Sequence, residues 1–216
     1  MVRAFARRAK NLKDSKNAAT GLLCYSRLKL SKGRDTYNVN EAFPIEVFFG
    51  LRKDVTALAL AQYFCQLAVG LVPEGVESSE YLRLVLNALH FLCQGTRPSF
   101  LLKAIVELRM VSEAAICPTW PTAPTAAPTR RSACTLKSTG GAVLQVLHIH
   151  TGDPCAPLSP AALTAMRHIV LSDFEKIFSF SVSPGALGEL SAAAEAYTVE
   201  ILQKRPKTLD FYHSML

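Results

Sequence analysis

Apolar residues alternate with polar ones near the start of the chain and recur at helical spacing after residue 54. The sequence therefore divides into a strand-like opening and a helical body. Between Gly21 and Val47, the residues Leu23, Tyr25, Leu28, Leu30, Tyr37, Val39 and Ile45 stand among polar neighbours. The alternation breaks at Ser31, Lys32, Gly33, Arg34 and Asp35, whose turn chemistry predicts a hairpin. A lone hairpin is marginal in water, so this unit must continue another sheet or pack on helices.

The spacing predicts three helices in the middle of the chain, over residues 54–71, 79–93 and 98–114. In the first, Leu60, Phe64, Leu67 and Leu71 form an apolar stripe. In the second, Leu82, Val85, Leu86, Leu89 and Leu92 share a face, with Ser79 as cap and Gly95 as stop. Pro98 opens the third, whose face is Leu101, Ile105, Leu108 and Val111. Short connections predict antiparallel neighbours in a bundle. Three further helices are expected over 159–171, capped by Ser159 and opened by Pro160, over 172–178, and over 184–203. Val55 to Val72 is uncharged over 18 residues, near the lower limit of a bilayer span. Gln62 and Gln66 on one face and Pro73 at the end predict a buried helix instead, and no membrane partner.

The stretch between Glu113 and Asp153 has no acid at all. Pro118, Pro121, Pro124 and Pro128 alternate there with Thr119, Thr122, Thr125 and Thr129, which is linker composition. A structureless loop of that length is improbable inside a compact helical protein.

Charge changes the picture. Residues 1–34 hold Arg3, Arg7, Arg8, Lys10, Lys13, Lys16, Arg27, Lys29, Lys32 and Arg34 against Asp14 alone, a local balance of +9, while the whole chain carries +7. A basic end on a nearly neutral body points to a polyanion, because each cation that meets a phosphate releases a condensed counterion. Phe5, Tyr25 and Tyr37 lie among these cations and offer ring faces for bases. No motif reads base edges, so the expected binding is independent of sequence and sensitive to salt. The alternative is a solubilising face on a helical interaction scaffold that does not bind DNA.

Catalysis has no visible seat, and no enzyme is expected: nucleophile-elbow, Walker, zincin and dinucleotide motifs are all missing. Glu107, Asp173 and Glu175 read as solvated or capping carboxylates. Of the cysteines Cys24, Cys65, Cys93, Cys117, Cys134 and Cys155, none forms a C-x-x-C pair, and Cys65 and Cys93 fall in apolar helical patterns as small core residues. His148 and His150, with Cys134 and Cys155 nearby, have the best metal-like spacing, which is weak. The opening lacks the apolar run of a secretory signal, and its Arg-rich, acid-poor character leaves an organellar transit peptide as a minor alternative.

Five separated blocks then carry a resemblance: ARRAKN at 6–11, CYSRLKLSKGRDTYNVNEAFPIEVFFGLRKD at 24–54, LLKAIVELRMVSEA at 101–114, PLSPAALTAMRHIV at 157–170 and KTLDFYH at 207–213. In this order they resemble the RecO family of DNA repair proteins. The resemblance implies an α+β protein: a partial N-terminal OB-fold barrel over 1–49, and an all-helical domain over 50–115 and 157–216. A small zinc-finger-like insertion, degenerate here, would occupy 116–156. It further implies a non-catalytic mediator of homologous recombination, cytoplasmic and nucleoid-associated. Such a protein binds single- and double-stranded DNA, anneals complementary strands and, with RecR, helps load RecA. It also holds the C-terminal tail of the single-stranded DNA-binding protein. The ten basic positions between Arg3 and Arg34 are those onto which DNA contact carries over.

Two departures from the family pattern stand out. The family barrel has further strands before the stretch matching Ala4 to Lys10, so the barrel is expected to be incomplete. The zinc-binding cysteine pairs of some members are also missing. Read one base earlier under one permitted choice of codons, residues 115–130 give GYMPDLAHCPHCGAYE, which contains such a pair. Out-of-frame translation of this segment would make Cys117, Cys134 and Cys155 accidental, and no cofactor is expected. Elemental analysis of the purified chain should then find no tightly held zinc. One zinc per chain would contradict that reading.

Overall fold

The computed structural model describes residues 4–7, 9, 15–33, 36–72, 77–114 and 158–216, together with the backbone of 133–139 and 143–149. The order of elements is β1 (Ala4–Phe5), α1 (Ser15–Ala19), β2 (Cys24–Lys32), β3 (Tyr37–Val47), a 3-10 turn (Phe49–Lys53), α2 (Val55–Leu71), α3 (Ser79–Gln94) and α4 (Ser99–Glu113). After these come β4 (Ala133–Thr139), β5 (Val143–Ile149), α5 (Pro160–Leu171), α6 (Pro184–Leu202) and α7 (Lys207–His213). The chain is α+β, as expected.

The expected hairpin forms: β2 and β3 are antiparallel, with register shifts between Tyr25 and Ser26 and between Lys29 and Leu30. β1 joins β3 in parallel, giving a sheet of order β1-β3-β2. Where a barrel was expected, the described strands form an open sheet with β2 at one edge. Its small core is Ala19 of α1 against Val39 and Ala42, and the Ser26 hydroxyl donates to the Ala19 carbonyl at 2.7 Å. The helix α1 was not legible in sequence, because five residues are too few to show a period.

Helix ends follow local chemistry. Asp54 caps α2 by accepting from the Thr56 amide at 2.8 Å, and the Ser159 hydroxyl caps α5, which Pro160 opens. Gly95 ends α3 at φ 65°, a left-handed conformation in which glycine meets no Cβ penalty. The helix expected over 172–178 is instead a run of turns leading from α5 to α6. Ile177 and Phe178 are still buried there, so the apolar pattern marked burial and not helix.

The central element is α4. Every residue from Leu101 to Leu108 is buried, and the helix packs against α2, α3, α5 and α6. Arg109 reaches from α4 to the end of α5 and donates to the Val170 carbonyl at 2.8 Å, with Ile169 and Ser172 carbonyls also in reach. These are the acceptors a helix C-terminus leaves open, so the contact fastens α5 to α4.

A burial so complete encloses charge. Glu107, read from the sequence as solvated or capping, is fully buried, as is Lys103 one turn earlier. The Lys103 ammonium lies 3.0 Å from Glu107 on its own helix and 2.8 Å from Glu195 on α6. The Tyr63 hydroxyl of α2 donates to Glu107 at 2.7 Å. Glu195 also meets Arg205 at 3.0 Å and His213 of α7 at 2.8 Å, and Arg205 meets Asp210 at 2.6 Å. One network therefore ties α2, α4, α6 and α7.

Burial pushes the Glu107 carboxyl up to about 7, outweighing Lys103 and the Tyr63 hydroxyl, which favour its anion. Burial also acts on Glu195, but Lys103 and His213 more than offset it, so that carboxyl lies below its ordinary value. Cys65 and Cys93 are half-buried, and burial raises the Cys65 thiol.

Two outcomes follow from the network. Lys103→Met leaves the buried Glu107 carboxyl without its cation, while Glu195 keeps Arg205 and His213, and should lower unfolding free energy by about 3 kcal/mol in urea titrations. Glu107, raised in the folded state, contributes stability that is full below its ordinary value of 4.5 and lost as pH rises through about 7. Glu107→Gln should flatten that part of the stability–pH curve. The loss of stability at lower pH through Glu195, a depressed carboxyl, should remain.

Candidate nucleic-acid interface

The open sheet carries the described part of the basic cluster. Arg7 is exposed in the turn after β1, and Lys16 is half-buried on α1. Arg27, Lys29 and Lys32 are exposed along β2, the edge strand. Edge position follows from the sheet order and leaves one side of β2 without a strand partner among the described residues. Arg3, Arg8, Lys10, Lys13 and Arg34 lie outside the described residues.

The basic face is not uniform. Glu41 on β3 is the register partner of Lys29 and meets it at 3.1 Å with both side chains exposed. A pair so open to water contributes about 0–1 kcal/mol, so Lys29 remains exchangeable toward another anion. Glu46 lies 3.8 Å from His90 of α3, where the sheet approaches the bundle.

The rings separate into two groups. Tyr25 packs against the helical core and Tyr37 is half-buried, whereas Phe5 is 66% exposed. Phe5 is therefore the described member of the expected trio whose face is open. Sequence reading missed Phe43, which is exposed on β3 directly across from Arg27. Its signal was present, since Phe43 and Ile45 alternate around Pro44, but only Ile45 was read as part of the strand pattern. Phe49, also exposed, lies beneath the Arg52 guanidinium, 5.1 Å from the ring centre.

The insertion offers less. Cys134 and His148 are register partners on β4 and β5, while His150 and Cys155 lie outside the described residues. Among the described residues no group of three or more His, Cys, Asp or Glu is placed to hold a metal. No helix among them is long and apolar enough to cross a membrane, so α2 is a bundle helix.

Comparison with known proteins places the chain in a family. A family model described as the recombination protein O C terminal matches residues 52–210, from the end of the 3-10 turn to α7. The chain belongs to the RecO family. The DNA repair protein RecO of Acetivibrio thermocellus is 29% identical, covering 99% of this chain and 85% of its own. That of Symbiobacterium thermophilum is 27% identical over 99% of this chain and 86% of its own. The RecO of Desulforudis audaxviator is 36% identical over 43% of this chain and 37% of its own. The RecO family model begins after the sheet, but the two long alignments extend over it, so the relatives share both parts.

Proposed function

We propose that the chain is a DNA repair and homologous recombination mediator of RecO type. The open sheet is its part of an oligonucleotide-binding barrel. Through Arg3, Arg7, Arg8, Lys10, Lys13, Lys16, Arg27, Lys29, Lys32 and Arg34 it holds single- and double-stranded DNA. Holding two strands on one cationic surface offsets their mutual repulsion, which favours annealing of complementary strands. The helical body receives partners: RecR, and the acidic, apolar C-terminal tail of the single-stranded DNA-binding protein. With RecR it helps load RecA onto DNA which that protein covers. The mediator works without catalysis or cofactor, in the cytoplasm at the nucleoid.

The observation that carries this reading is membership of the family together with exposed cations on the sheet's edge strand. Charge attraction to phosphates is independent of sequence and falls steeply with salt. A second reading, the interaction scaffold without DNA binding, is favoured by Glu41 beside Lys29, which offsets part of the positive charge along β2.

Titration of a labelled single-stranded oligonucleotide at several salt concentrations separates the two. The mediator reading expects a steep linear fall of log affinity with log salt, and the scaffold reading expects no binding even at low salt. Replacing Arg7, Arg8 and Lys10 together by Ala should reduce that slope by about 2, at roughly 0.7 for each phosphate contact on a single strand. An unchanged slope removes these residues from the site.

A further inference from the structure

Phe5, Asn38 and Ser31 stand in one row across the three strands of the sheet. Phe5 on β1 is the register partner of Asn38 on β3, which is in turn the partner of Ser31 on β2. The register shift after Lys29 passes over Asn40, so that Asn40 has no partner residue on β2. The Ser31 hydroxyl donates to the Asn40 side-chain oxygen at 3.1 Å instead. At this row the protein has a cavity of about 450 Å³, lined among others by Phe5, Arg7, Lys16, Ser31, Asn38 and Asn40.

The lining combines three chemistries. Phe5 supplies an exposed ring face. Asn38, Asn40 and Ser31 supply groups that both donate and accept hydrogen bonds. Arg7 and Lys16 supply positive charge, and among the described residues no carboxylate lines the cavity. An apolar ligand would leave the amides unmatched, and a simple anion would leave the ring unused. A planar heterocycle with a polar edge, attached to phosphate, uses all three. The volume falls within the range of roughly 300–1,000 Å³ typical of small-molecule sites.

We infer that this cavity seats one unstacked base of a single-stranded DNA. Phe5 stacks on the base, Asn38 and Asn40 meet its polar edge, and Arg7 and Lys16 hold the adjoining phosphates. The inference rests on the DNA-binding reading above and adds recognition of a base to attraction by charge. A duplex keeps its bases stacked and paired, so the cavity favours single strands over duplex.

The test compares the full-length chain with Phe5→Ala and Asn40→Leu, using labelled single strands that carry bases and abasic strands of the same length. Both substituted side chains are exposed, so the fold does not depend on either. The unmodified chain should bind the base-carrying strand about tenfold more tightly than the abasic one, the scale of one base–aromatic stack. Phe5→Ala should remove most of that difference while leaving abasic binding unchanged. Asn40→Leu should reduce the difference by a smaller factor.

Equal affinity for both strands, with a steep salt dependence, would overturn the base cavity and leave the phosphate-binding surface standing. Equal weakening of both strands by Phe5→Ala would also overturn the base cavity. Absence of binding to either strand by the unmodified chain would overturn the cavity and the DNA-binding reading together.

Discussion

The Lys103 ammonium, shared between Glu107 and Glu195, is the interaction on which the helical body depends. Lys103 and Glu107 are one turn apart on α4, but in the order that helps an isolated helix less, with the cation nearer the N-terminus. Local helix energetics therefore do not explain the pair. The third member, Glu195, comes from α6, and Tyr63 from α2 completes the shell around Glu107. The charges are tolerable only when the helices are assembled, and the helices can close only if the charges are matched. Such a network specifies one arrangement of α2, α4 and α6, because a slipped neighbour would leave a buried ion unpaired. Apolar packing alone allows more alternatives, since Leu101, Ile105 and Leu108 fit many partners of similar size.

Charge is used in the opposite way on the sheet. The cations of β2 are exposed, and the described anion beside them, Glu41, holds Lys29 only in a solvated pair. In the bundle, desolvation makes each partner obligatory. At the sheet, water leaves the cations free to exchange partners, which suits reversible attraction to a polyanion. The buried Lys103 cluster and the exposed Lys29–Glu41 pair thus use the same kinds of charge to opposite ends.

Much of this was legible in sequence, because helical period and cap residues are local signals. The 54–71, 79–93 and 98–114 patterns agree with α2, α3 and α4 within a residue or two, and Ser159 with Pro160 marks the start of α5. The turn chemistry read over 31–35 lies near the junction of β2 and β3, although Ser31 and Lys32 are paired residues of β2. What failed depended on tertiary context. Glu107 lies in a run of apolar residues, and nothing local says that Lys103 turns inward with it. The turns after α5 bury Ile177 and Phe178 without helical backbone, so periodicity misassigned them. α7 was noticed only as the block KTLDFYH, since seven residues give barely two turns; its Leu209 and Tyr212 nevertheless enter the main core. At the site, the basic cluster was plain from composition. The openness of Phe5 and Phe43 was not, because exposure of an aromatic residue is set by which strands cover it.

The edge position of β2 gives its cations a second physical role. Among the described residues no strand pairs with the outer side of β2; an edge strand presents unpaired backbone groups that another strand could join, and Leu28 and Leu30 on β2 are partly open to solvent. Arg27, Lys29 and Lys32 oppose that association, because pairing two copies of this edge would bring like charges together across the new ladder. A polyanion meets no such repulsion. The charges that keep this edge from joining its own kind are therefore the same ones that attract a polyanion, so solubility and charge attraction are linked through the same three side chains. Neutralising them removes attraction to polyanions and protection of the edge in one step. A change in oligonucleotide titration with such variants consequently has to be separated from self-association by measuring the size of the particle in solution.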